Sequence, residues 1–68
     1  DAKEDSIKID SVSTSVLDGT TYYYLKSNNK VYRASIKVNE TVLPFIKTGD
    51  TITITYKEGK LNEIIKIK

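Results

Sequence analysis

The chain has 68 residues, a formal net charge of +2, and no cysteine, histidine or tryptophan. A chain this short forms one small domain around one core and buries only about 60% of the surface its unfolded form exposes. Disulfide staples, zinc fingers, cysteine nucleophiles and imidazole acid–base chemistry are excluded, so packing must hold the fold. Charge is unevenly distributed: residues 1–18 carry five carboxylates against Lys3 and Lys8, a net −3, while residues 19–68 carry nine Lys/Arg against four carboxylates, a net +5. The basic surface therefore belongs to the later part of the chain. No apolar run approaches the roughly 18 residues that span a bilayer, and no signal-peptide core is present.

Taken in chain order, residues 1–5 (DAKED) are charged and without periodicity, which reads as a lead-in or linker. Residues 6–68 read as a single domain. Because the chain starts at Asp1 without an initiator Met, the domain is expected to be a fragment of a larger protein. Ile7 and Ile9, then Val12, Thr14 and Val16, alternate in two phases, which predicts a long first strand with a bulge around Asp10 and Ser11. Asp18-Gly19 marks a hairpin turn, Thr20–Ser27 a second strand, Asn28-Asn29 another turn, and Lys30–Val38 a third strand. NETVLPFIKTGD breaks the alternation, and Pro44 suits a single helical turn. Thr51–Tyr56 and Leu61–Ile67, separated by Glu58-Gly59, complete five strands.

The expected fold is all-β: a five-stranded OB-fold, a small partly open Greek-key barrel, with a short helical turn between strands three and four. An SH3-like barrel is the rival. The long bulged first strand and the plug before the fourth favour the OB arrangement.

Strand phase divides the tyrosines. A two-residue Asn28-Asn29 turn sets Leu25 opposite Tyr32, Tyr23 opposite Ala34 and Thr21 opposite Ile36 on an inward face. The same register sets Tyr24 opposite Arg33 and Tyr22 opposite Ser35 on an outward face. That outer face then carries Tyr22, Tyr24, Lys26, Arg33, Ser35 and Lys37, with Lys57 and Lys60 flanking a neighbouring turn. Rings to stack on bases and cations to follow phosphates are what single-stranded nucleic acid requires. The plainer reading is a solvated surface on which a Tyr24–Arg33 pair adds about 0.2–1 kcal/mol to the sheet.

No enzyme site, metal site or cofactor is expected. Asp10, Asp18 and Asp50 fall at bulges and turns where carboxylates accept bonds from backbone amides. The three glycines are isolated, so no phosphate cradle forms. Thr51, Thr53 and Thr55 line one outer face, and Asn39-Glu40-Thr41 matches a glycosylation pattern too frequent to carry weight.

Over YYYLKSNNKVYRASIKVNETVLPFIKTGDTITITYKEG the chain resembles the C-terminal OB-fold domains of TcdC-type clostridial negative regulators of toxin-gene expression. The resemblance implies a membrane-anchored parent, oligomeric through an upstream coiled coil, acting as an anti-sigma factor, with a domain that binds single-stranded nucleic acid. Nothing in these residues assigns the side of the membrane. The leading expectation is a module that binds single-stranded nucleic acid weakly and with strong salt dependence, a folded guanine-rich strand being one candidate form because it offers broad flat rings and dense phosphate. The alternatives are a domain that meets sigma factor or an envelope glycan, and a structural end-piece that sets oligomeric state.

Overall fold

Period-two alternation of β-branched and aromatic residues runs through much of the chain and produces strands on either side of a strand-free connection over residues 36–50. The computed structural model describes residues 2–68; Asp1, the first residue of the expected lead-in, lies outside them. Strands are β1 (Ala2–Lys8), β2 (Ser11–Leu17), β3 (Thr20–Ser27), β4 (Lys30–Ser35), β5 (Thr51–Lys57) and β6 (Asn62–Ile67). They form one mixed sheet in the order β1-β5-β6-β4-β3-β2. Every pairing is antiparallel except the short parallel one between β4 and β6.

Six strands replace the expected five because the first strand is broken, not bulged. The Ile9 N–H donates to the Asp50 carbonyl at 2.8 Å, and the next amide, that of Asp10, donates to the Lys26 carbonyl at 2.8 Å. Successive amides thus bond to segments from opposite halves of the sheet, so one ladder cannot continue through both. The two ends of the sheet, β1 and β2, are joined through this two-residue link, and the sheet is not closed by pairing between them. Ile9 is 1% exposed and anchors the link in the core.

The expected lead-in is also corrected. Ala2–Asp5 belong to β1 and pair with β5, from Ala2 opposite Lys57 to Asp5 opposite Ile54. Their charges concealed the strand, yet an edge strand accommodates charge well. Lys3 pairs with Glu58 at 2.5 Å and Glu4 with Lys68 at 3.4 Å.

The third expected strand ends at Ser35, three residues early. The Ser35 hydroxyl accepts the Lys37 N–H at 3.2 Å and caps a 3-10 turn over Ile36–Val38. A second 3-10 turn, Leu43–Phe45, contains Pro44, so the connection holds two short turns where one was expected. Between them the Asn39 side-chain oxygen accepts bonds from the Thr41 hydroxyl and amide and from the Val42 amide. The hairpin turns follow expectation: Asp18, Gly19, Asn28 and Asn29 all have positive φ, as a two-residue hairpin turn of the type I′ class needs.

The core gathers Ile7, Ile9, Leu25, Tyr32, Ala34, Leu43, Ile46, Ile54, Tyr56, Ile64 and Ile67. Tyr32 and Tyr56 meet edge to face, with ring centroids 5.2 Å apart and planes at 87°. A register shift at Thr55/Tyr56 lets β6 place both Ile64 and Ile67 in the core.

Candidate functional site

The β3–β4 register is the one strand phase predicts: Tyr22 faces Ser35, Tyr23 faces Ala34, Tyr24 faces Arg33 and Leu25 faces Tyr32. Thr21 does not meet Ile36, because Ile36 has left the strand. Leu25, Tyr32 and Ala34 are buried, and Tyr23 packs against the core. Burial, reinforced by the charges of Tyr56, Asp5 and Glu58, pushes the Tyr32 phenol above its ordinary value. Tyr22 and Tyr24 are half-buried on the other side.

Pairing extends this outer face across the sheet. Ser13 of β2 lies opposite Tyr24, Tyr24 opposite Arg33, Arg33 opposite Glu63 of β6, and Glu63 opposite Lys57 of β5. Cross-strand partners share a face, so these five residues form one lateral row. Arg33 is the most constrained of them. Its Nε and Nη2 both donate to Glu63 Oε1, at 2.9 and 2.6 Å. Its Cζ lies 4.8 Å from the centroid of the Tyr22 ring, the diagonal neighbour, and not over Tyr24 as the cross-strand pairing suggested. Glu63 first, then Tyr24, hold the guanidinium proton and raise the group above its already high ordinary value.

Two consequences follow for the expected site. Arg33 turns two of its donors to an internal carboxylate, so it does not present a free fork to a phosphate. Among the described residues, Arg33 is the cation seated on Tyr22, which leaves Tyr24 as the ring of the pair without a guanidinium over it. Lys26 is exposed at the end of β3, opposite Ser11 and Val31. Ser35 closes β4 and has its hydroxyl committed to the turn, and Lys37, exposed, lies in that turn and not on the strand face. Lys57 is exposed in the row, while Lys60 is exposed in the turn between β5 and β6.

Glu63 is the residue that sequence reasoning missed. Its contact with Arg33 spans 30 positions and depends on the parallel β4–β6 pairing, which leaves no local turn signal. Also unforeseen is a cleft of about 390 Å³ between β1 and the β3–β4 turn, lined by Asp5, Lys8, Asp10, Lys30 and the Tyr32 ring, among others. Asp10 and Asp50 behave as expected, accepting the Asn28 N–H at 3.0 Å and the Lys47 N–H at 3.1 Å. Comparison with protein-family models, curated proteins and solved structures returns no match.

Proposed function

We propose that the chain is a non-enzymatic module that binds single-stranded nucleic acid on the outer face of β3 and β4. The observation that carries this reading is the row Ser13, Tyr24, Arg33, Glu63 and Lys57, in which the Tyr24 ring shares one face with the exposed Lys57 while Glu63 takes up Arg33. Tyr24 stacks a base, and Lys26, Lys57 and Lys60 contact phosphates. Tyr22, under Arg33, braces the face. We read the strand order as that of an OB-type barrel whose first strand is split at Ile9-Asp10. In the same proposal the chain is the ligand-binding piece of a TcdC-type regulator, with nucleic acid and not sigma factor at the Tyr24 face.

Labelled oligonucleotides, one unstructured and one guanine-rich and folded, test this by anisotropy at two salt concentrations. Three lysine contacts give a log–log slope near −2, a loss of about 20-fold between 50 and 200 mM salt. Tyr24→Ala weakens binding by about 5-fold to 150-fold, the range expected for one stacked base. Full affinity in that variant would move the site elsewhere. Absence of binding by the wild type at 50 mM salt, with sigma-factor shifts in an NMR titration, would replace nucleic acid by a protein partner.

A further inference from the structure

Among the described residues, strand β2 ends the sheet and pairs on one side only, with β3. Its seven residues, Ser-Val-Ser-Thr-Ser-Val-Leu, contain no charge, proline or glycine, and five of the seven are exposed. Val16 is 66% exposed and Leu17 48%. Edge strands are ordinarily protected against further pairing by charge, proline, a bulge or shortness, and β2 has none of these.

A second property is independent of exposure. From Val12 to Val16 the strand reads the same in both directions about Thr14. An antiparallel copy related by a two-fold axis through Thr14 therefore sets Val12 against Val16 and Ser13 against Ser15, with Ser11 against Leu17 at each end. Valines meet valines on one face and serines meet serines on the other, while a one-residue slip would oppose the two faces. No like charges meet within the seven-residue ladder. Beyond it Asp10 comes opposite the second copy's Asp18, and both are turned from the strand line: the Asp10 carboxylate accepts the Asn28 N–H, and Asp18 sits in the turn at φ 50°.

We infer that β2 is the surface on which a second copy of this chain adds, strand to strand, joining two six-stranded sheets about Thr14. Such a contact is isologous and closes after two copies, because each β2 is consumed by the other. It is also small. A seven-residue ribbon covers less than the roughly 800 Å² per partner of a standard stable interface, so association is weak and belongs to high micromolar concentrations. The serine face of each β2 borders Tyr22 and Tyr24, so pairing makes the outer faces of two copies continuous.

Sedimentation of the wild-type chain from about 20 µM to about 1 mM is expected to pass from monomer to dimer. Thr14→Lys and Thr14→Glu each place like charges on the two-fold axis and weaken association at least about tenfold; an equimolar mixture restores it. Thermal melts by circular dichroism check that both variants fold. A second measurement does not depend on them: the chain has no cysteine, and opposed Cα atoms in an antiparallel pair lie about 4.5–5.5 Å apart, within disulfide range. Thr14→Cys should oxidise to a covalent dimer faster than Lys60→Cys, at a remote exposed turn. A wild type that stays monomeric to about 1 mM with no such difference in oxidation overturns the inference. So does a dimer indifferent to charge at position 14.

Discussion

β1 and β2 are seven residues long, separated by two residues in the chain, and each lies at one end of the sheet, yet their chemistry is opposite. β1 carries Lys3, Glu4, Asp5 and Lys8, and its charges find partners in Glu58 and Lys68. β2 carries none. Charge on an edge has two effects: ion pairs fasten the strand to its neighbours, and the hydration of the remaining charges opposes addition of another strand. β1 has both and β2 neither. A sheet with two equally charged ends would be well protected, whereas this one is protected at one end and open beside the tyrosine face.

The largest effect is expected at the joint between the two edges. Ile9 is 1% exposed, and its amide and carbonyl bond to Asp50 and Gly49 at 2.8 Å each. Ile9→Ala leaves a cavity and loses about 2–5 kcal/mol. At roughly 0.05–0.15 kcal/mol per residue the whole domain has only about 3–10 kcal/mol. Urea denaturation should therefore show a steep fall in midpoint, while Thr14→Ala on the exposed strand changes stability by less than about 0.5 kcal/mol. A loss under about 1 kcal/mol at Ile9 would mean that the joint is held by its backbone bonds and not by the core.

A smaller effect sharpens the same contrast one residue later. The Asp10 carboxylate accepts the Asn28 N–H at 3.0 Å, tying the link to the β3–β4 turn. Asp10→Ala removes this bond and should lower stability by about 1 kcal/mol. Hydrogen exchange should quicken at the Asn28 amide while the β2–β3 ladder keeps its protection. Uniform loss across both hairpins would show that Asp10 supports the whole sheet and not the β3–β4 turn alone.

Local signals were legible in the sequence, and long-range ones were not. Turns needing positive φ announced themselves at Asp18-Gly19 and Asn28-Asn29, and their two-residue length fixed the β3–β4 register and sorted Tyr24 from Tyr32. β1 was hidden because its charges erase period-two alternation; only Ile7 of its seven residues reaches the core. The break at Ile9 depends on partners at Lys26 and Asp50, and the Arg33–Glu63 pair on a parallel contact between distant strands. No spacing rule within a few residues reports such contacts. That is why strand phase sorted Tyr22, Tyr24 and Arg33 onto one side of β3 and β4, while the turn that carries Lys37 off that side and the partner of Arg33, Glu63, stayed hidden.

The smallest effect tests whether charge on β1 contributes to holding that edge. Lys3 and Glu58 are bonded at 2.5 Å but their side chains are more than half exposed, so water screens the pair. The hydrogen bond from Lys3, and then its charge, lower the Glu58 carboxyl below its ordinary 4.5; the reciprocal bond raises the Lys3 ammonium above 10.5. A depressed carboxyl contributes stability above its unfolded value and loses it as pH falls through the folded one. A raised ammonium contributes below its unfolded value and loses it as pH rises through the folded one. The melting-temperature gap between wild type and Glu58→Gln should therefore be small, widest between about 4.5 and 10.5, and should close on either side. Low salt should widen it. A gap that persists well below pH 4.5 cannot come from the ion pair, and would mean that β1 is held by its ladder alone, leaving its charges only the task of keeping other strands away.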